Sequence, residues 1–295
     1  MFFLQYRIIF PKIHMTDTMK KRTSLLFIII ILLTFTVGFT VKKYNSQKTP
    51  APAPSIVAHR GDSAHAPENT LPAFELAIQK GADCIELDVR QTADHVPVVI
   101  HDKNMARISG TDCKVSDITF RELVAMDIDD GFASQYKNTH ICTLEQAICL
   151  CRNRVRLNID LKVSGLEEEI VSLLQKYNLS GQCEITSGKA QTLRTLKTLD
   201  PDIKTLLLMS SAEDVRDYLY GEILSKDRKT YIDGISVKVA HVNEFLVQTA
   251  HSRGQSVHVW TVNSEEDFHR VYNLGVDAII TDDPEKAVYY LHYEQ

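Results

Sequence analysis

Two runs of this sequence hold side chains that together could do phosphate chemistry. Ala58-His59-Arg60-Gly61 leads into Pro67-Glu68-Asn69-Thr70, and Glu86-Leu87-Asp88-Val89 leads on to His101-Asp102. Each of these two histidines closes an apolar, strand-like stretch. Glu86 and Asp88 are spaced i, i+2, so on a strand they share one face. Two histidines, an arginine and a carboxylate pair are what metal-assisted phosphodiester cleavage needs. The carboxylates hold a divalent cation, the cation and Arg60 neutralise the phosphate, and His59 and His101 move protons.

Each residue also has a plainer reading. A strand-end histidine on its own is more often structural, but His59 is followed by Arg60 and matched by His101. Arg60 offers a planar fork suited to phosphate, or else a surface ion pair. Acids on a strand usually mark a solvated face. Here the strand is otherwise apolar, which turns Glu86 and Asp88 inward, and buried carboxylates need a cation partner. Oxygen ligands favour Mg²⁺ or Ca²⁺. Asp102 is placed to orient His101. Glu68 and Asn69 supply supporting polar contacts, unless Asn69 or Thr70 caps the helix that follows.

The elements that must position these groups alternate from residue 55 onward. Strand candidates cover 56–60, 84–91, 98–101, 156–162, 183–186, 204–209, 234–239, 256–262 and 278–281. Apolar residues at helical spacing fill most of the gaps, as with Leu166, Ile170, Leu173, Leu174 and Tyr177. Similar patterns run over 70–80, 143–152, 189–199, 211–220, 242–252, 264–274 and 284–291. Nine strands are one too many for an eight-stranded barrel. Only Thr92–Pro97 separates the second run from the third, too short for a parallel crossover. Those two runs therefore form an antiparallel hairpin, which brings His101 near Asp88. The remainder is α/β, a (β/α)₈ TIM barrel with a hairpin elaborating strand two and its site at the strands' C-terminal ends. A doubly wound sheet would want a Gly-rich loop after strand one, and Gly61-Asp62-Ser63-Ala64-His65 does not supply it. Residues 102–142 hold no clear strand, one short helix near 119–126, and are expected to cover part of the barrel mouth.

In these motifs the sequence resembles the glycerophosphodiester phosphodiesterase family. The resemblance continues through Val98-Val99-Ile100-His101-Asp102, Leu157-Asn158-Ile159-Asp160-Leu161-Lys162, Val259-Trp260-Thr261-Val262-Asn263 and Ile279-Ile280-Thr281-Asp282-Asp283-Pro284. It spans nearly all of the chain after residue 55. It implies hydrolysis of a small-molecule or lipid-derived glycerophosphodiester to sn-glycerol 3-phosphate and an alcohol, with one divalent cation. It further implies Asp160 as the third metal ligand and Lys162 as a phosphate contact. Asp160 departs from the family's usual Glu, so a salt bridge to a neighbouring base is the alternative for it. Trp260 either lines the pocket, as the resemblance suggests, or packs in the barrel core. Two rival readings keep the fold: a lysophospholipase D-like or other lipid phosphodiesterase, and an inactive, membrane-anchored phosphate-binding or interaction module.

Charge divides the chain. The first 50 residues carry eight Lys/Arg and one acid, and the rest holds 25 bases against 37 acids. An acidic catalytic region argues against nucleic acid as partner. Residues 23–41 are uncharged, and as a helix would span about 28 Å, close to a bilayer's hydrocarbon core. The expected organisation is a cytoplasmic tail over 1–22, a transmembrane helix over 23–41, a Pro-rich stalk over 42–55 and the catalytic barrel over 56–295. That makes a single-pass membrane protein with its barrel outside the cytoplasm. The alternative is secretion after cleavage of a signal peptide. The six cysteines form no C-x-x-C pair and are expected as buried or half-buried thiols, with a disulfide or a zinc site as alternatives. Oligomeric state leaves no mark in the sequence.

Overall fold

A computed structural model of the protein describes residues 52–128, 131–132, 134–220 and 231–293. Eight strands are parallel and close on one another: β1 (Ser55–His59), β2 (Cys84–Gln91), β4 (Arg156–Leu161), β5 (Cys183–Ser187), β6 (Lys204–Met209), β7 (Gly234–Lys238), β8 (Ser256–Trp260) and β9 (Ala278–Thr281). β1 pairs with both β2 and β9, which shuts the barrel. β3 (Pro97–Val99) runs antiparallel to β2, so the short gap does form a hairpin. β2 pairs with β1 only over Cys84–Glu86 and with β3 over Val89–Gln91. The hairpin thus takes over the edge of β2 where β1 has ended. Ile100 leaves β3 but still donates its N–H to the Asp88 carbonyl at 2.8 Å, carrying the chain to His101 beside Asp88.

Helices follow the strands: α1 (Leu71–Gln79), α4 (Leu144–Cys151), α5 (Glu167–Lys176), α6 (Ala190–Leu199), α7 (Ala212–Tyr220), α8 (Glu244–Ser252), α9 (Glu265–Leu274) and α10 (Pro284–Tyr293). Side-chain caps start several of them. The Thr70 and Ser264 hydroxyls accept from Ala73 and Asp267 N–H, and Thr143 with Gln146 forms a capping box. Outward strand residues such as Ile85, Leu87, Ile159, Ile185 and Val259 are buried under these helices and form the main core. Inside the barrel the apolar side chains form a small cluster of Val57, Cys84, Ala278 and Ile280 with Trp260 against them, and Leu208 lines the cavity as well. This inversion is what frees the inner face for polar chemistry.

Among the described residues of 102–142 are two short α-helices, α2 (Ala106–Ser109) and α3 (Phe120–Val124). Met105, Ile108, Val115, Leu123 and Ile141 close over Val98 and Ile100 as a second small core. The segment is thereby anchored on the hairpin. Cys84, Cys142, Cys151 and Cys183 are buried thiols and Cys113 is half-buried, but Cys149 is exposed, contrary to expectation. The run 23–41 lies outside the described residues. Among the described residues no helix is long and apolar enough to cross a membrane.

Candidate active site

Strand register assembles the site. His59 is the β-partner of Glu86, and Asp88 is the partner of Asp160. Three adjacent strands thus deliver four side chains to one end of the barrel. Carboxylate oxygens of Glu86, Asp88 and Asp160 all lie within 4.8 Å of one another, and all three residues are buried. With His59, Arg60, His101 and Lys162 they line a cavity of about 70 Å³ at the C-terminal ends of the strands. Asn158, Thr186 and Ser236 also line it, and Leu208, Trp260 and Ile280 add an apolar wall.

The carboxylates are electrostatically unlike. Burial pushes Glu86 up to about 7, and the charge of Asp88 adds to the rise. Burial also raises Asp160. Asp88 is held low despite burial, because Lys162 and Arg60 flank it. Lys162 Nζ sits 2.8 Å from Asp88 Oδ1 and 2.5 Å from Asp160 Oδ2. Arg60 donates its backbone N–H to Glu86 Oε2 at 3.0 Å and places Nε 3.1 Å from Asp88 Oδ2. For Asp160 the structure shows the salt bridge to a neighbouring base, and it leaves the second carboxylate oxygen over. One oxygen pairs with Lys162, while Oδ1 is buried without a hydrogen-bond partner. An orphaned carboxylate oxygen inside a set of three carboxylates fits a hard divalent cation.

Each histidine has its own carboxylate. His101 Nδ1 donates to Asp102 Oδ1 at 2.7 Å. His59 Nδ1 donates to Asp282 Oδ1 at 2.6 Å. Both arrangements leave Nε2 for the cavity. Burial alone would lower His59, but the Asp282 hydrogen bond and the charge of Glu86 outweigh it and hold the imidazole above its ordinary value. Asp282 is in turn fixed by Asn263 Nδ2 at 2.6 Å and Ser63 Oγ at 3.1 Å.

The supporting residues take distinct places. Asn69 does not cap the helix; Thr70 does. Asn69 instead donates Nδ2 to Asp88 Oδ2 at 2.8 Å and accepts from the Asp88 N–H at 3.1 Å. Glu68 accepts from Arg60 Nη1 at 3.0 Å. Trp260 lines the cavity, with its indole Nε1 buried and unpartnered. The site therefore gathers every residue expected from the sequence. It adds Asp282, which sequence reasoning missed although it lies in the Ile279–Pro284 motif. A carboxylate fixing an imidazole was the available signal, but its partner is 223 positions away.

Two imidazoles backed by carboxylates, three clustered acids and two cations at the mouth of a closed barrel define the class: a barrel enzyme for phosphodiester hydrolysis. The model of the glycerophosphoryl diester phosphodiesterase family matches residues 59–286. The chain belongs to that family. It is 33% identical over 241 residues to a glycerophosphodiester phosphodiesterase of Caldanaerobacter subterraneus, covering 79% of this chain and 96% of the relative. It is 25% identical over 269 residues to human lysophospholipase D GDPD1, covering 80% and 85%. Among solved structures it is similar to an Oleispira antarctica phosphodiesterase in complex with the product sn-glycerol-3-phosphate. That similarity has a TM-score of 0.70 and 27% identity, over 80% of this chain and 96% of the other.

Proposed function

We propose that this chain hydrolyses glycerophosphodiesters to sn-glycerol 3-phosphate and an alcohol, using the cavity at the barrel mouth. The observation that carries the reading is the shared placement of His59 and His101 around the Glu86–Asp88–Asp160 cluster, each with Nδ1 tied to a carboxylate. Glu86, Asp88 and Asp160 would hold one divalent cation, Mg²⁺ or Ca²⁺. When bound, it supplies Lewis-acid polarisation of a phosphoryl oxygen. Arg60 and Lys162 bind the remaining phosphate oxygens and stabilise the charge that develops on them. One imidazole takes the proton from the nucleophile through Nε2, and the other protonates the leaving alkoxide. The nucleophile is either water or the substrate's own glycerol hydroxyl, the latter giving a cyclic phosphate first.

The similarity to a lysophospholipase D and the apolar wall of Leu208, Trp260 and Ile280 favour a second reading, a lipid diester in the same site. Turnover of the full-length chain on glycerophosphocholine and on lysophosphatidylcholine separates the two. Release of glycerol 3-phosphate from the water-soluble diester supports the first reading. Choline release from the lysolipid alone would replace it with the second.

We also read the uncharged run 23–41 as a membrane anchor with the barrel outside the cytoplasm. Fractionation that leaves the full-length chain in the soluble phase overturns this.

A further inference from the structure

Arg107 lies on α2, in the segment anchored on the hairpin. Met105 and Ile108 are buried in the small core, while the Arg107 side chain stays outside it and reaches Asp102 and Glu68. There its guanidinium spans two carboxylates. Nε donates to Asp102 Oδ2 at 2.6 Å. Nη1 donates to Glu68 Oε2 at 3.1 Å, and Nη2 to Glu68 Oε1 at 2.7 Å. The other oxygen of Asp102 holds His101 Nδ1, and Glu68 Oε1 also holds Arg60 Nη1. One side chain therefore joins the partner of a proton-transferring histidine to the partner of the phosphate-binding arginine.

We propose that Arg107 is a positioning residue for the reaction, acting through Asp102 on His101 and through Glu68 on Arg60. The proposal rests on the phosphodiesterase reading of the cavity. An ordinary exposed ion pair holds little, because water competes for both charges. Arg107 itself is 48% exposed, but its partners are not: the side chains of Glu68 and Asp102 are 17% and 23% exposed. Both carboxylates are shared with a site residue, so their orientation is transmitted. With Asp102 clamped, the imidazole of His101 keeps its proton on Nδ1 and presents Nε2 to the cavity. With Glu68 clamped between two guanidiniums, Arg60 keeps Nη1 on Glu68 and Nε beside Asp88. A lysine at 107 would keep the charge but not the fork, so it could not span both acids.

The test uses the full-length chain and the variants R107A, R107K, D102N and R107A/D102N. Replacing Arg107 by Ala is expected to lower kcat about 10- to 100-fold, the usual loss for an outer partner of a site residue, with a smaller rise in KM. R107K, which keeps the charge and tests for a folding artefact, is expected to recover only part of that loss at an unchanged melting temperature. In the D102N background the same R107A change should cost much less, because its route to His101 is already cut. Equal losses in both backgrounds, or an R107A or R107K variant with wild-type kcat, overturn the proposal. A second readout does not need turnover. The ¹⁵N signals of His101 should report a fixed Nδ1–H tautomer in the unmodified chain and tautomer averaging in R107A. If the unmodified chain hydrolyses no diester, the functional reading fails, and these signals still decide whether Arg107 positions His101: a change supports it and identical signals overturn it.

Discussion

His59 Nδ1 lies 2.6 Å from Asp282 Oδ1, a contact between the end of the first barrel strand and the residue just after the last. Barrel closure alone brings the two together. Burial pushes Asp282 up, yet the hydrogen bond and charge of His59, together with the hydrogen bonds from Asn263 and Ser63, outweigh it, and its carboxyl stays below the usual range. The bond between His59 and Asp282 also raises His59. Replacing Asp282 by Asn removes that bond's charge and leaves burial, which lowers the imidazole. The pH–rate limb governed by His59 should therefore move to lower pH, whether His59 serves as acid or base. Turnover should fall about 10- to 100-fold, because Nδ1 loses its carboxylate partner. A pH profile of Asp282→Asn identical to that of the unmodified chain would remove Asp282 from the site.

Ala at His59 or His101 should each lower kcat by about 10²- to 10⁴-fold, the usual worth of a positioned proton carrier. Both side chains sit at the cavity and outside the main core, so melting temperatures should stay close to that of the unmodified chain. Near-normal turnover in both variants would refute the acid–base assignment.

The two carboxylate partners show where sequence reading stops. The barrel was legible because β-branched runs alternate with helical patterns, and the six-residue gap Thr92–Pro97 allowed only a hairpin. Glu86 and Asp88 were legible because a strand's two-residue period puts them on one face. His101–Asp102 was visible as neighbours in the chain. His59–Asp282 was not, because nothing local marks a pairing made by closure. Arg107 was hidden for another reason: it lies where hydrophobic periodicity is weak and looks like any surface arginine. Cys149 is a different case, since helix geometry already excluded burying it together with Cys151. Residues two apart sit about 200° around the helix axis, and α4 has one buried face.

Chelation should silence the enzyme, and Mg²⁺ or Ca²⁺ should restore it. Asp160 is the sharper probe, because its Oδ1 is the buried oxygen left without a partner. Asp160→Asn keeps the size and removes the charge, so it should raise the cation concentration needed for half-maximal activity about 10-fold or more. Asp160→Glu restores the charge with one more methylene and should bind the cation more tightly than the Asn variant. Cation titrations of the two variants that superimpose would count against ligation by residue 160. Activity in EDTA equal to that in added metal would count against the cation altogether.

Gly61 tests the turn that carries Arg60. Its φ is +83°, and a Cβ there would lie 2.7 Å from the Ala73 carbonyl carbon and 2.9 Å from the Ala73 oxygen, both backbone atoms of α1. The closeness has a use. Asp62 donates its N–H to the Ala73 carbonyl, and Asn69 donates its N–H to the Arg60 carbonyl at 2.9 Å, so the turn is folded flat onto the helix start. Gly61→Ala combines left-handed strain with a clash against main chain, together roughly 2–4 kcal/mol. Gly81→Ala provides the comparison: φ is also +83°, but nothing lies within 4 Å of its Cβ position. It should cost only the strain, about 1–2 kcal/mol. Thermal unfolding of the two variants measures the difference. The activity of Gly61→Ala should fall further than its stability explains at temperatures where it remains folded, since moving the turn moves Arg60 off Glu86 and Asp88. Equal melting temperatures for the two variants would mean that the turn is not pressed against α1.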